Sequence, residues 1–136
     1  MSANSRTATA AQILCVIAWR GDGGTDATQI AKSLQTNPVV VRKMLKALEQ
    51  AGLVTIRPGR NGGVRLARSS HAITLDQIHR AIDDGDILVL RAGINRRCPV
   101  SIRMPGLLTP VFEAAAQAVD RTLSGVTLAS LVEAIR

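Results

Sequence analysis

Aromatic side chains are almost absent from this sequence of 136 residues, which has one Phe, one Trp and no Tyr. Proteins that bind single-stranded nucleic acids stack the bases on aromatic rings, so this composition argues against that mode of recognition. The hydrophobic fraction of 46% is still large enough to form a core. Because that core must be aliphatic and rich in alanine, we expect a mainly helical protein.

Long apolar runs and multiple cysteine pairs are also missing. No segment is apolar over the roughly 20 residues that a membrane helix needs, and no signal peptide is recognisable. Two cysteines do not supply the disulfide framework typical of small secreted proteins. These absences predict a cytoplasmic protein.

Acidic residues are scarcer than basic ones: 10 Asp and Glu stand against 17 Lys and Arg, which gives a formal net charge of +7. The excess favours an anionic partner, and nucleic acid is the first candidate. No nucleophile–base pair, metal-ligand set or cofactor loop accompanies it. The glycines of residues 21–24 lack the Gly-Lys-Ser/Thr of a phosphate loop, and His79 has no second ligand at metal spacing. The sequence therefore indicates a protein that is not an enzyme and holds no metal.

Residues 25–66 have the pattern of a short helix, a tight turn and a second helix, followed by a Gly-rich hairpin. Asn37 is a good N-cap for the second helix, and Pro38 suits its first position, where a missing N–H costs nothing. This helix is predicted to run from Pro38 to about Ala51, because Gly52 can adopt the left-handed conformation that ends a helix. The order of elements is that of a winged helix-turn-helix.

The second helix has two contrasting faces. Val41, Leu45 and Leu48 recur at helical spacing and are predicted to face the core. The opposite face is basic and has a size that fits the major groove of B-form DNA; it comprises Val39, Val40, Arg42, Lys43 and Lys46. For an isolated helix, a solvated basic face would be an equally good interpretation. The turn before this helix and the hairpin after it favour DNA reading.

A hairpin is predicted over residues 53–67, and its turn is dense in residues that tolerate positive φ. Arg57, Arg60 and Arg65 lie on this hairpin or beside it. A basic wing can enter a narrow, A·T-rich minor groove, which attracts arginine. Taken alone, the pattern fits an ordinary exposed hairpin better.

Four further helices are predicted, over residues 7–19, 75–83, 110–123 and 128–135. The first carries an apolar set of Ile13, Leu14, Val16, Ile17 and Trp19. The third carries a long, Ala-rich apolar stripe for which a domain of this size has little core left, so a second copy of the chain is its natural partner. The predicted dimer contacts are Val111, Phe112, Ala115, Val119 and Leu123.

The sequence resembles the Rrf-type (Rrf-two) family of bacterial winged-helix regulators. The matching segments are IAKSLQTNPVVVRKMLKALEQAGLV from Ile30, GRNGGVRLAR from Gly59 and AITLDQIHRAI from Ala72. Asn4-Ser5-Arg6, Cys98-Pro99-Val100 and Thr127-Leu128 also fit the family pattern. The similarity covers nearly the whole chain and is most specific in the winged-helix half.

This resemblance implies a mainly α protein with a small β-wing. It implies a winged helix-turn-helix domain over residues 1–83, and a sensing loop with dimerisation helices over residues 84–136. The implied function is that of a homodimeric transcriptional regulator, a repressor, bound to a palindromic operator in double-stranded DNA. The residues implied at the DNA are Arg6, Thr28, Asn37, Val39, Val40, Arg42, Lys43, Lys46, Arg57, Arg60 and Asn61.

The chain departs from the family pattern at two places. Cluster-binding members have three cysteines in the loop before the long helix, whereas this chain has Cys98 alone, and one thiolate cannot hold an iron–sulfur cluster. The chain therefore resembles the single-cysteine subgroup, and we expect no cofactor. At the wing tip, Pro58 replaces an arginine and Arg60 replaces a proline, so the minor-groove arginine is either Arg57 or Arg60.

Two alternative functions stay open at this point. Oxidation or alkylation of Cys98, which lies beside Arg96 and Arg97, would make the regulator a thiol switch with an oxidant or a small molecule as its effector. The basic face could instead bind protein, as in a winged-helix interaction module. Measuring binding to duplex DNA against salt concentration separates the interaction module from the DNA-binding regulator and from its thiol-switch form.

Overall fold

The computed structural model describes residues 5–82 and 85–136. Over these residues the helices are α1 Arg6–Arg20, α2 Ala27–Leu34, α3 Pro38–Gln50, α4 Leu75–Ile82, α5 Pro99–Ser124 and α6 Leu128–Ile135. The strands β1 Val54–Arg57 and β2 Gly63–Leu66 form an antiparallel pair. The predicted fold class, mainly α with a small β-wing, is confirmed. Asn4 and the predicted domain boundary between residues 83 and 84 lie outside the described residues.

The described chain forms two compact units, one of residues 5–82 with Ser124–Arg136 and one of Gly85–Leu123. The predicted division grouped α6 with the dimerisation helix, whereas α6 packs in the first unit. Leu128 is fully buried there, and its N–H donates to the carbonyl of Ile73 at 2.8 Å. Burial of the apolar face of α6 accounts for this grouping.

Local capping rules determine where α2 and α3 begin. Asp26 caps α2 by accepting a first-turn N–H at 2.9 Å. Asn37 caps α3 through its side-chain oxygen, which accepts the N–H of Val39 at 2.8 Å, and Pro38 is the first helical residue. Gly52 follows the helix with a φ of 77°. The predicted start of α3 is confirmed, and its end lies within one residue of the prediction.

The core of the first unit lies where α1, α2, α3, α4 and α6 meet the hairpin. Val41, Leu45 and Leu48 are buried in it, as their spacing predicts. Trp19, which the prediction grouped with the apolar set of the first helix, is instead 51% exposed. The buried face of α1 is formed by Ala10, Ile13, Leu14 and Ile17, and Trp19 lies on the opposite side of the helix. Its ring lies 5.5 Å from the guanidinium carbon of Arg136.

The hairpin is extended by a residue that precedes α2. The N–H of Val64 in β2 donates to the carbonyl of Thr25 at 2.8 Å. Thr25 is buried, and a Cβ on Gly63 would lie only 2.7 Å from its carbonyl oxygen. Gly63, with a φ of 135°, permits this close approach, and the wing is thereby fixed to the helix-turn-helix.

Helix α5 starts earlier than the sequence predicts. The predicted start at Pro110 is wrong, because α5 begins at Pro99 and contains both Pro105 and Pro110 in its interior. Each internal proline removes one helical hydrogen bond, but the flanking residues hold the helical path. The hydroxyl of Thr109 donates to the carbonyl of Pro105 at 2.7 Å and adds a bond in the same turn. Over the described residues, no helix combines the length and the apolar character needed to cross a membrane.

Candidate nucleic-acid interface

The outward face of α3 carries three basic side chains. Arg42, Lys43 and Lys46 are all exposed, and within residues 5–82 and 85–136 none of them forms an ion pair or a hydrogen bond. Val39 is 63% exposed at the first turn, and Val40 is half-buried. The arrangement leaves three free cations and an apolar surface on one side of a helix whose other side is core.

The residues predicted at the edges of this face lie at the starts of helices. Thr28 is exposed in the first turn of α2, and Arg6 is the half-buried first residue of α1. Asn37 is exposed, but its side-chain oxygen already accepts the N–H of Val39. Its amide N–H groups are the donors that it can offer to a phosphate or a base.

The wing presents a second set of polar side chains. Arg57, Arg60 and Asn61 are exposed, with Arg57 at the end of β1 and the other two in the turn. The turn is tight, because a Cβ on Gly62 would lie 2.0 Å from the carbonyl oxygen of Arg57. Arg57 and Arg60 are therefore carried by a short hairpin turn.

Arg65 differs from the other wing arginines in having a partner in the protein. Its guanidinium donates to the carbonyl of Asp22 at 3.1 Å and lies against Gly24. This bond spans 43 residues of sequence and ties β2 to the loop that follows α1. Arg65 therefore fixes the position of the wing relative to residues 22–24, a role that the sequence pattern alone did not predict.

Glu49 connects α3 to the wing, and sequence reasoning missed it as well. Its carboxylate accepts the N–H of Ile56, on the outer edge of β1, at 3.2 Å. Because α3 would read the bases and the hairpin would contact the flank, this bond links the two parts of the interface. The sequence spacing of Glu49 and Ile56 does not predict this hydrogen bond, because the bond depends on how the chain turns after Gly52.

The two cysteines lie in different units and different surroundings. Burial raises the pKa of the Cys15 thiol in α1, so this thiol is a weak nucleophile at neutral pH. Cys98 is half-buried directly before α5, and it lines a groove of about 260 Å³ together with Arg91 and Met104. The expected absence of a cluster stays a prediction.

Metal ligands do not converge in the part of the chain that the structure describes. No group of three or more His, Cys, Asp or Glu side chains lies there in a position to hold a metal ion. His79 is half-buried in α4, and its Nδ1 lies 2.7 Å from the hydroxyl oxygen of Thr7 in α1. This histidine thus links two helices of the first unit.

The predicted dimer residues on α5 do not form one uniform surface. Val111 is 60% exposed, whereas Phe112, Ala115, Val119 and Leu123 are half-buried. Phe112, Ala115 and Val119 border a groove that they share with residues 86–90 of the same chain. The predicted role of these three residues as dimer contacts stays a prediction.

Exposed apolar side chains are concentrated in the second unit. Among residues 5–82 and 85–136, 14 large hydrophobic residues are exposed, and 10 of them lie in Gly85–Leu123; they are Ile87, Leu88, Val89, Leu90, Ile94, Val100, Ile102, Met104, Leu107 and Val111. No residue of α5 is fully buried. Apolar surface on this scale is typical of an interaction site.

Comparisons with known proteins agree with this geometry. The Rrf2 family model, described as "Iron-dependent Transcriptional regulator", matches residues 3–134. A relative from Bacillus subtilis (strain 168), YwnA, named provisionally as an HTH-type transcriptional regulator, is 33% identical over 126 residues, which are 92% of each chain. A crystal structure described provisionally as that of a DNA-binding protein has 31% identity and a TM-score of 0.77, and covers 93% of this chain and 98% of its own. The structure of T. potens IscR shares the fold, with a TM-score of 0.74 at 19% identity, and covers 100% of this chain and 89% of its own.

Proposed function

Since the chain belongs to the Rrf2 family and is a DNA-binding transcriptional regulator, we propose that it works as a homodimeric repressor that reads a palindromic operator with α3 and the wing. It acts by binding, without catalysis, in the cytoplasm, where operator DNA lies. The resemblance and the DNA-binding regulator function predicted from the sequence are confirmed by the same comparisons.

The observation that carries the proposal is the free basic face of α3. Arg42, Lys43 and Lys46 are exposed without partners within the described residues, and the opposite side of the helix is buried. An α-helix of this kind fits the major groove, where arginine and lysine reach the acceptor edge of guanine. Val39 and Val40 supply apolar contacts that suit thymine methyl groups. In this arrangement Arg42 and Lys43 read bases, and Lys46 binds phosphate.

The wing and the helix starts complete the contact. Arg57 and Arg60 project from the hairpin, where they can enter the minor groove next to the α3 site. Arg6 and Thr28 lie at helix N-termini, which favour phosphate through free N–H groups and the helix dipole. Such contacts set the register of the protein on the duplex, whereas those of α3 choose the sequence.

The homodimer rests on the outward face of α5. Val100, Met104, Leu107 and Val111 recur at intervals of four, three and four residues, and all four are exposed. A second copy of the same face would cover this surface in a symmetric dimer. Two recognition helices would then read half-sites roughly one helical turn of DNA apart. A dimer seated on such a site represses by blocking access to the promoter.

The test starts from an operator selected out of random duplexes. We expect the protein to bind it as a dimer, and the affinity to fall steeply with salt because phosphate contacts release counterions. Replacing Arg42, Lys43 and Lys46 together by alanine should abolish sequence preference. Replacing Arg91, Arg96 and Arg103, which are exposed in the second unit, removes the same charge but leaves α3 unchanged, and serves as the control. Equal loss in both triple variants would mean that overall charge, not α3, binds the duplex.

A second candidate function is the thiol switch at Cys98. Cys98 directly precedes α5, and its backbone N–H donates to the carbonyl of Asn95 at 3.1 Å. A modified Cys98 side chain would therefore disturb the first turn of α5, the helix proposed to form the dimer. Operator affinity would be measured before and after treatment with an oxidant. Loss of binding in the wild type and in Cys15→Ser, but not in Cys98→Ser, would establish the switch. Identical loss in all three would exclude it.

A further inference from the structure

A groove in the second unit has the size of a small-molecule site. It has a volume of about 350 Å³ and lies between residues 86–90 and α5. Sites for small organic ligands begin at about 300 Å³ and are lined mainly by apolar side chains. Here the apolar lining comes from residues 87–90, Phe112, Ala116 and Val119. The groove can therefore hold the body of a small aryl or alkyl compound.

The polar side chains that line this groove offer only acceptors. The charged residues that line it are Asp86 and Glu113, both acidic in a chain whose net charge is +7. Within the described residues, neither carboxylate has a basic partner. The third polar group, the Thr109 hydroxyl, already donates its hydrogen to the carbonyl of Pro105 at 2.7 Å and presents only lone pairs. An occupant that pairs with these side chains brings hydrogen-bond donors and positive charge.

The groove and the proposed dimer surface lie on different sides of α5. Successive residues turn about 100° around a helix, so Phe112, Glu113, Ala116 and Val119 are centred about 130° from Val111. A second copy seated on Val111 and Leu107 leaves that side of the helix open. A dimer limited to that surface leaves the groove open, whereas a dimer that also covers Phe112, Ala115 and Val119 fills it. The test separates the two cases and does not involve DNA.

We propose that this groove binds a small organic cation, an amine with an apolar body. The body packs on Phe112 and Val119, and the ammonium group lies between the carboxylates of Asp86 and Glu113, with the oxygen of Thr109 as a further acceptor. This assignment goes beyond the proposed regulator function, because it names the chemistry of a ligand that the family membership does not specify.

Calorimetric titration with three compounds of one body but different charge tests the assignment. The probes are 4-phenylbutylamine, 4-phenylbutan-1-ol and 4-phenylbutyrate. We expect the amine to bind about tenfold more tightly than the alcohol, since two solvent-exposed carboxylates each contribute a factor of about two to five. The carboxylate probe should bind most weakly. Equal affinity for the three, or binding of none of them, as would occur if a second copy filled the groove, would overturn the proposal.

Variants then locate the site. Asp86→Asn combined with Glu113→Gln should bring the amine to within about twofold of the alcohol, because the paired charge is gone. Glu133→Gln in α6, which removes an exposed carboxylate from the first unit, is the matched control and should keep the full preference. Ala116→Phe should block all three probes by filling the groove. If the double variant does not fold, as judged by circular dichroism, the single variants are used. A preference for the amine that survives in the folded variants would contradict the proposal.

Discussion

Exposed basic residues of this protein differ in what they already bind, and that difference separates their roles. Arg42 and Lys46 have no partner in the described chain, whereas Arg65 donates to the carbonyl of Asp22. A guanidinium that is already bonded in the protein positions the wing, and one that is free can bind DNA. Sequence alone treats these arginines and lysines as equivalent, because it does not contain the contact with Asp22.

Removing single cations from α3 and from the wing should have three distinct effects. Arg42→Ala should cost about 1–3 kcal/mol at the selected operator and flatten the preference between sequences, because we propose that its side chain reaches a base edge. Lys46→Ala should weaken all duplexes alike and lower the salt slope by about one. Arg60→Ala should act chiefly on A·T-rich flanks, because a wing arginine senses groove width. Each variant would be titrated against selected and random duplexes at several salt concentrations.

Wild-type behaviour of all three variants would mean that α3 and the wing do not read DNA. The winged-helix interaction module would then be the better description of the basic face.

Gly63 provides a test of how closely the wing approaches the helix-turn-helix. Gly63→Ala should destabilise the protein by more than the about 1–3 kcal/mol that positive φ alone costs, because its Cβ would lie 2.7 Å from the carbonyl oxygen of Thr25. Gly59→Ala is the control: φ is also positive there, at 96°, but the space around it is open. Urea unfolding would measure both. Equal losses in the free energy of unfolding for Gly63→Ala and Gly59→Ala would show that the close approach to Thr25 does not constrain the wing.

At the scale of elements, what could be predicted from sequence follows from how local each signal is. Asn37-Pro38 and Gly52 determine the ends of α3 through bonds within a few residues, so the pattern is sufficient. The turn before it uses Gln35 at a φ of 53°, which no composition rule indicates. Pro110 misled the prediction for α5, because a proline that commonly begins a helix here lies inside one. The fold around the recognition helix was therefore predictable, and the length of α5 was not.

The cap residue of α3, Asn37, is also one of the residues proposed to contact DNA. Asn37→Ala should destabilise the protein by about 0.5–2 kcal/mol, because the N–H of Val39 loses its acceptor. Asn37→Asp should keep the stability, since a carboxylate caps equally well, but it adds negative charge and removes the amide donors. Operator affinity should therefore fall in both variants, while the melting temperature falls only in the first. If Asn37→Asp binds the operator with wild-type affinity, Asn37 does not contact DNA.

At the scale of the whole molecule, the proposed dimer surface on α5 is tested by the oligomeric state. Leu107→Glu combined with Val111→Glu should give a monomer by light scattering, since two charges would be buried against a second copy. Gln117→Glu adds charge to another exposed side of the same helix and should leave the dimer intact. A monomeric wild type, or a dimeric double variant, would contradict this surface.

The placement of α6 makes the first unit discontinuous in sequence, and this has a consequence for the order of folding during synthesis. Leu128 completes the core around Ile73, so residues 5–82 leave the ribosome before their last core side chains exist. Contacts that join distant parts of a chain form late, and the apolar surface that awaits them stays open in the meantime. The nascent winged helix must therefore persist in an incomplete state until the second unit has been translated, and a chain stalled within α5 would expose an unfinished core to chaperones and proteases.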